Sequence, residues 1–367
     1  MKPVIYFEKL DALRFFAFFL VIWQHAFSCI FKGITTNTNL QLIINALTGT
    51  GGIGVQIFFV ISGFLITFLL ISEERQHKRV NLSFFYLRRI LRIWPLYYLV
   101  MILGIFVLPH LDSCFGFSGN KLMNLIFLNN MSMDGGAPSS INVGCVNIAW
   151  SVAVEEQFYL VWPLFFILFR NYKKLLSLCC VVLFIQITIY IAGHGFETYF
   201  SFFGNLKYLI TGCWGAFFYS NYKERISASY LLKPNCFYFI CFLAVSLIAA
   251  NAISPFYNYL TMWLLSIFYL YLVIYSVDKS KGESNSIISL LGKYTYGMYL
   301  YHPIILYAAY ATVSKLGFDY GKGDLLKSII AIVSLLTTIG ISILSYEYFE
   351  KPILKLKSKI SAIQTRV

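Results

Sequence analysis

One stretch near the N-terminus decides the fold, and it reads Leu10-Asp-Ala-Leu-Arg14-Phe-Phe-Ala-Phe-Phe-Leu-Val-Ile-Trp-Gln24-His25. The apolar run that it begins continues to about residue 31, and about 20 such residues are enough to cross the hydrocarbon core of a bilayer. A cleavable signal peptide has a shorter apolar region without residues such as Arg14 and His25. The stretch therefore predicts a first transmembrane helix that is retained.

The composition of the whole chain agrees with this reading. Of the 367 residues, 59% are hydrophobic and 12% are charged, whereas about a quarter of the residues in a soluble domain are charged. These values exclude a soluble enzyme, a disordered chain and a small disulfide-rich domain. The apolar runs are long and do not alternate, which disfavours a β-barrel. We predict an all-α polytopic membrane helix bundle.

Ten apolar segments are long enough to be counted as candidate spans, and they cover residues 10–31, 54–72, 93–111, 149–169, 174–192, 202–219, 236–250, 257–277, 295–313 and 325–346. An even number places both termini on one side. With the termini in the cytoplasm, 22 of the 29 basic residues fall in inner segments and six in outer ones, as the positive-inside rule requires. The net charge of +13 is therefore a topology signal, and nucleic acid is not an expected partner. We expect a membrane-embedded domain at 1–352 and a basic cytoplasmic tail at 353–367.

Ionisable residues inside predicted spans are the first candidates for function, because their burial in lipid is costly. Arg14 and His25 are 11 residues apart, which on a regular helix places them on one face and separates them by about 16 Å along the axis. A structural alternative is that Arg14 extends towards the headgroups and that His25 bonds a neighbouring helix.

Arginines cluster at the inner end of the third span, in the segment Arg88-Arg89-Ile-Leu-Arg92-Ile-Trp94-Pro95. Arginine forks bind phosphates through paired hydrogen bonds, so the cluster predicts a site for a polyphosphate ligand at the cytoplasmic side. The alternative is an ordinary positive flank with Trp94 as an interfacial anchor. Glu350, where the tenth span ends, is a candidate to orient one of these arginines.

Two adjacent carboxylates enter the fourth span in the segment Trp150-Ser151-Val-Ala-Val-Glu155-Glu156. Neighbouring helical residues point about 100° apart, so the two carboxylates have different roles. A carboxyl group in apolar surroundings suits proton transfer, and an ion pair that joins two helices is the alternative. We assign Trp150 and Ser151, at the outer mouth of this span, to substrate binding.

Three further patterns carry less functional information. His302 precedes Pro303 in the ninth span, where we favour a structural kink. The five histidines are scattered without metal-ligand spacing, so no metal site is predicted. In the outer loop at 112–148, Cys114 and Cys145 are candidates for a disulfide. The apolar piece at 122–128 is too short to span and is expected to lie at the surface or to dip back into the bundle.

Together these residues suggest a ligand with an anionic head and a long thin arm, as in a coenzyme A thioester. Its phosphates would lie among Arg14, Arg88, Arg89 and Arg92, and its acyl carbon would reach His25 near the outer face. His25 would act as a general base on a sugar hydroxyl, with an acyl-histidine intermediate as a variant. Glu155 or Glu156 would orient the imidazole or balance its charge.

The chain resembles the acyltransferase family 3 membrane proteins, which include O-antigen and other polysaccharide O-acetylases. The resemblance covers nearly the whole chain, from Leu10 to Pro352. It rests on five patterns in order: Arg14-x₁₀-His25, Gly54-x₃-Phe58-Phe59-x₂-Ser62-Gly63-Phe64, the segment 88–95, Trp150-Ser151-x₃-Glu155-Glu156-x-Phe158-Tyr159, and Tyr296-Gly297-x-Tyr299-x₂-His302. It implies about ten spans in a bacterial cytoplasmic (inner) membrane and essential roles for Arg14 and His25. It also implies acetyl-CoA as the usual donor and a carbohydrate or glycolipid acceptor outside the cytoplasm, such as the O-antigen of lipopolysaccharide.

A proton-coupled transporter or a lipid or glycan flippase is the alternative function, with His25 and the Glu pair relaying protons. Such proteins usually contain inverted repeats, and the sequence contains no visible internal repeat. The arginine cluster also has no role in a transporter. The sequence therefore favours an acyl-CoA-dependent O-acyltransferase.

Overall fold

A computed structural model of the chain describes residues 4–31, 35–112, 115–117, 120–133, 145–169, 177, 179–182, 184–186, 188, 200–253, 258–280, 286–318, 324–360 and 364–365. Helices dominate these residues, and several are long and apolar enough to cross a bilayer. The predicted class, an all-α polytopic membrane protein, is confirmed.

The helices are numbered here in chain order. They are α1 (Glu8–Ile22), α2 (Thr38–Thr48), α3 (Gly51–His77), α4 (Leu82–Ile102), α5 (Leu108–Leu111), α6 (Lys121–Leu125), α7 (Trp150–Leu168), α8 (Phe202–Ser227), α9 (Pro234–Ile253), α10 (Asn258–Asp278), α11 (Ile287–Gly292), α12 (Thr295–Lys315), α13 (Asp324–Ser345) and α14 (Lys351–Ile360). Among the described residues, three helices continue into a π-helical turn: α1 at Trp23–Phe27, α4 at Leu103–Val107 and α13 at Tyr346–Glu350.

Asparagine side chains define several helix starts. Asn37, Asn81 and Asn120 precede α2, α4 and α6, and each accepts a hydrogen bond from the backbone N–H three residues later. Such N-caps satisfy backbone donors that have no partner inside the helix. The short polar segments between apolar runs therefore set where these helices begin.

The chain divides into two compact units. Unit 1 contains Met1–Tyr6, Ser62–Phe217 and Ser342–Val367, and unit 2 contains Phe7–Ile61 and Phe218–Ile341. In unit 2, α1 packs against α10, α11 and α12. In unit 1, α14 packs against α4.

Seven candidate spans are found among the described residues, and each overlaps one of the ten predicted segments. They are Glu8–Phe27, Thr38–His77, Leu82–Leu111, Asn147–Leu168, Pro234–Ala252, Leu260–Asp278 and Asp324–Leu356. Two other predicted spans are helical, in α8 and α12, but do not meet the same criterion of apolar composition. The remaining one, at 174–192, falls mostly outside the described residues. The count of ten stays a prediction.

A short strand pair joins the two ends of the chain within unit 1. β1 (Val4–Ile5) pairs in parallel with β2 (Gln364–Thr365). No strand was expected from the sequence, because two residues carry no recognisable pattern. The pairing places the ends side by side, which agrees with an even number of crossings. The cytoplasmic location of that side stays a prediction from the charge distribution.

The apolar piece at 122–128 packs back against α4 within unit 1. The hydroxyls of Tyr97 and Tyr98 on α4 donate to the carbonyls of Asn124 and Leu125. The ring of Phe127, which has a positive φ of 58°, stacks on that of Tyr97 at 4.2 Å. Of the two placements expected for this piece, these contacts agree with the one in which it dips back into the bundle.

Glycines in the predicted pattern mark close helix contacts. A Cβ on Gly54 would lie 2.3 Å from the carbonyl oxygen of Ala17 on α1, within unit 2. A Cβ on Gly63 would lie 2.0 Å from the carbonyl oxygen of Leu209 on α8, within unit 1. Small residues at such points let the backbones of membrane helices approach closely.

We expect Gly63→Ala to lower the thermal unfolding temperature of the detergent-solubilised protein, because the added methyl group overlaps backbone that must move. Overpacking of this kind costs roughly 1–3 kcal/mol. Gly340→Ala on α13 is the matched control, since its Cβ would meet no described atom within 4 Å. Equal unfolding temperatures for the two variants would contradict the close contact.

Candidate active site

His25 lies in unit 2 on the π-helical turn that ends α1. The turn is held by the stacking of Trp23 on Phe27 at 5.0 Å and by the side chain of Gln24, which accepts a hydrogen bond of 2.7 Å from the amide of Gly51. The hydroxyl of Ser28 donates to the carbonyl of Gln24. Single π-turns inside α-helices frequently mark functional sites. The side chain of His25 is exposed in this unit.

His302 is the hydrogen-bond partner of His25. Nε2 of His302, on α12, lies 3.0 Å from Nδ1 of His25, and the two rings are inclined by only 14°. Nδ1 of His302 lies 2.8 Å from the carbonyl oxygen of Tyr299. The ring of Phe18 packs edge-on against His302, which is fully buried at 0% exposure. The result is an imidazole pair with one accessible and one buried member.

Arg14, also in unit 2, forms an ion pair with Asp11 on the preceding turn of α1. The side chain of Arg14 is 19% exposed, and Asp11 is buried. The expectation that Arg14 and His25 share one face assumed a regular helix up to His25. That assumption was wrong, because His25 lies on a π-turn, which contains more residues per turn than an α-helix. The angle between the Arg14 and His25 side chains therefore differs from the value for a regular α-helix.

Glu155 and Glu156 lie on α7 in unit 1 and have different partners. Glu155 accepts hydrogen bonds from the hydroxyls of Ser62 and Tyr159, at 2.8 and 2.7 Å. Glu156 accepts one of 2.9 Å from the indole N–H of Trp94 through Oε2. Its buried Oε1 has no hydrogen-bond partner among the described residues. The two carboxylates therefore have separate surroundings, and the separate roles expected for them stay a prediction.

The three arginines of α4 have different environments in unit 1. Arg88 forms an ion pair of 2.8 Å with Glu73. Arg89 lies over the ring of Tyr159, with its guanidinium carbon 5.5 Å from the ring centroid. Arg92 is exposed and lies within electrostatic range of Glu350, which ends the π-turn after α13. The sequence suggested that Glu350 orients one arginine of this cluster, without indicating which one. Nη1 of Arg88 and Nε of Arg89 are buried and have no hydrogen-bond partner within the described part of the chain.

Trp150 and Ser151, assigned to substrate binding, are both buried at the start of α7. The indole of Trp150 packs edge-on against Phe200 at 5.1 Å. The hydroxyl of Ser151 donates to the carbonyl of Ile148. These contacts anchor the N-terminus of α7, and the substrate-binding role stays a prediction.

The predicted site residues thus divide between the units. Arg14 and His25 are in unit 2, and all the others are in unit 1: Arg88, Arg89, Arg92, Trp150, Ser151, Glu155 and Glu156. A single site that combines both sets, with a carboxylate that orients His25, stays a prediction. Within unit 2 the orienting partner of His25 is an imidazole.

Sequence reasoning missed the contribution of three residues. His302 was interpreted as part of a structural kink. It is the last residue of the pattern Tyr296-Gly297-x-Tyr299-x₂-His302, but its hydrogen bond to His25 was not anticipated. Ser62 and Tyr159 were also inside quoted patterns, but nothing in the order of residues indicated that both would bond Glu155.

Two other expectations concern cysteines and metals. Cys145 is buried, and Cys114 lies outside the described residues, so the proposed disulfide stays a prediction. Among the described residues there is no cluster of three or more His, Cys, Asp or Glu side chains arranged to hold a metal ion.

Comparisons with known proteins place this geometry in context. A family model described as an acyltransferase domain matches residues 7–347. O-acetyltransferase OatA of Staphylococcus aureus is 26% identical over an alignment of 374 positions, which covers 95% of this chain and 57% of the relative. The putative peptidoglycan O-acetyltransferase YrhL of Bacillus subtilis is 26% identical over 379 positions, covering 95% of this chain and 55% of the relative.

A third relative matches a shorter region. Peptidoglycan O-acetyltransferase OatA of Listeria monocytogenes is 33% identical over 181 positions, which cover 46% of this chain and 25% of the relative. No solved structure matches the chain. The chain spans little more than half the length of the curated relatives that it matches most extensively. The family model nevertheless covers nearly the whole chain, and on that ground the chain belongs to the acyltransferase family.

Proposed function

We propose that the chain is a membrane O-acyltransferase of a bacterial cytoplasmic membrane. It transfers an acyl group, which we expect to be acetyl, from acyl-CoA on the cytoplasmic side to a hydroxyl of a carbohydrate outside the cytoplasm. The observation that carries the proposal is the His25–His302 pair, which joins the candidate span Glu8–Phe27 to α12. An imidazole that is accessible on one side and fixed on the other suits a general base.

The proposed chemistry needs one proton shuttle. His25 removes the proton from the attacking hydroxyl as its oxygen bonds to the thioester carbonyl. The carbon–sulfur bond then breaks, and the departing sulfur receives the proton from the imidazolium of His25. The imidazole returns to its starting state, so no oxidant, reductant or metal is required.

The arginines of α4 support the choice of donor. Nη1 of Arg88 and Nε of Arg89 are buried donors without a hydrogen-bond partner in the described part of unit 1. Buried donors of this kind are costly unless something accepts from them. Phosphate oxygens are the acceptors that guanidinium groups fit best, and acyl-CoA brings several phosphates.

The acceptor is proposed at the level of its chemical class. The relatives from Bacillus and Listeria are named for peptidoglycan, whereas the motif resemblance pointed to polysaccharides such as O-antigen. Both acceptors are carbohydrate hydroxyls outside the cytoplasm. We therefore propose an extracytoplasmic carbohydrate hydroxyl as the acceptor, and acyl transfer should be assayed on both peptidoglycan and lipopolysaccharide.

We expect His25→Gln to reduce acyl transfer by about 10²-fold or more, the usual contribution of a general base. Membranes that contain the variant are supplied with radiolabelled acetyl-CoA and either peptidoglycan or lipopolysaccharide. Base-labile label in the carbohydrate is then counted.

His110→Gln is the matched control for this assay, because His110 is an exposed histidine in α5 of unit 1. It should retain wild-type transfer. Wild-type transfer by a correctly inserted His25→Gln protein would remove His25 from the mechanism. Absence of labelled carbohydrate with the wild-type protein would contradict the acceptor class.

We expect coenzyme A at millimolar concentration to raise the thermal unfolding temperature of the solubilised protein. Arg89→Gln should weaken this stabilisation, since it removes a donor that no described residue uses. Arg88 is tested together with its partner, as Glu73→Gln plus Arg88→Gln, because removal of one member alone would leave a buried charge unpaired.

Arg79→Gln supplies the control for lost positive charge, since Arg79 is exposed between α3 and α4. Its unfolding temperature should rise with coenzyme A as in the wild type. If coenzyme A stabilised neither protein, the acyl-CoA donor would be excluded and the transporter alternative favoured.

A further inference from the structure

The hydrogen bonds of His302 fix which of its ring nitrogens carries the proton. Nδ1 lies 2.8 Å from the carbonyl oxygen of Tyr299 and 3.3 Å from that of Met298. Carbonyl oxygens only accept hydrogen bonds, so Nδ1 of His302 must be the donor. The proton of a neutral His302 is therefore on Nδ1, and its Nε2 is an acceptor.

Pro303 explains why the carbonyl of Tyr299 is available. In a regular helix that carbonyl would accept the amide N–H of the residue four positions later, which is Pro303. Proline has no N–H, so the carbonyl is left for the side chain of His302. The sequence Tyr299-Leu-Tyr-His302-Pro303 therefore supplies both a carbonyl that lacks its usual backbone donor and the imidazole N–H that bonds to it.

Burial keeps His302 in this neutral form. The side chain is 0% exposed, and its ring contacts within unit 2 are Phe18, Tyr299 and His25. None of these contacts supplies a negative charge, and a buried charge without a counter-ion is costly. His302 therefore presents a lone pair, and not a proton, to His25.

The state of His25 follows from that of His302. Its Nδ1 lies 3.0 Å from the accepting Nε2 of His302, so Nδ1 of His25 carries the proton. The lone pair of a neutral His25 is then on Nε2, at the opposite edge of an accessible ring. Free histidine in water favours the opposite tautomer, with the proton on Nε2. In a protein, the hydrogen bond made by one ring nitrogen decides whether the other nitrogen carries the proton.

We propose that His302 is a positioning residue that holds His25 with Nε2 as the basic nitrogen, and that Pro303 makes this possible by freeing the carbonyl of Tyr299. The consequence for transfer rests on the proposed function, whereas the tautomer itself does not. When His25 takes up a proton, its Nδ1–H continues to donate to His302. The imidazolium is then stabilised without a carboxylate.

The first test is spectroscopic and independent of activity. The full-length protein is labelled with ¹⁵N-histidine, reconstituted in lipid and examined by solid-state NMR, and the His25 signals are assigned by their loss in His25→Gln. We expect a protonated Nδ1 and an unprotonated Nε2 for His25 at neutral pH. A protonated Nε2 with an unprotonated Nδ1 would overturn the proposal.

The second test separates positioning from packing by kinetics. His302→Leu retains a side chain of moderate size but removes the Nε2 atom that accepts from His25. We expect kcat to fall by about 10²-fold or more, because the base is then held in the wrong tautomer. KM should change little. His302→Gln keeps an acceptor oxygen close to the position of Nε2 and should recover part of kcat. Wild-type kcat in His302→Leu, or equal kcat in the two variants, would exclude the positioning role.

A third variant probes the proline. Pro303→Ala restores an amide that competes for the carbonyl of Tyr299, so the NMR spectrum should show a mixture of His25 tautomers. An unchanged spectrum would exclude the role of Pro303. If His302→Leu does not fold, the wild-type spectrum still decides the tautomer. If the wild-type protein showed no acyl transfer, the proposed function would be contradicted, and the NMR result would still decide the tautomer of His25.

Discussion

Each ionisable side chain inside an apolar helix must find its hydrogen-bond partner within the chain, because hydrocarbon supplies none. The described residues satisfy this requirement in several ways. Arg14 pairs with Asp11 one turn earlier, and Arg88 pairs with Glu73 on the neighbouring helix. The imidazole of His302 uses a backbone carbonyl of its own helix.

The exceptions to this requirement are informative. Oε1 of Glu156, Nη1 of Arg88 and Nε of Arg89 are buried in unit 1 without hydrogen-bond partners among the described residues. All three atoms belong to α4 and α7, whose residues the sequence had assigned to ligand binding or catalysis. Buried polar atoms without partners are uncommon and call for an explanation. A bound polar molecule with both donors and acceptors would satisfy them.

The sequence predicted the features that depend on local composition. The apolar runs predicted the helices, and the short run at 122–128 was correctly excluded as a span. Arg14 and His25 were recognised because ionisable residues are rare in such runs. The partner of His25 was not predictable, since His302 is 277 positions away in sequence. The π-turn at Trp23–Phe27 was also missed, because its residues fit an ordinary helix equally well.

His302 illustrates what reasoning from local sequence alone leaves out. A proline after a histidine was read as a kink, and the kink was taken as sufficient reason for the pattern. The same missing amide also frees one carbonyl, which orients an imidazole without introducing a charge. A buried aspartate in that role would need its own counter-ion or further hydrogen bonds. Because His302 is a neutral orienting group, it adds no buried charge beside His25 until His25 accepts a proton.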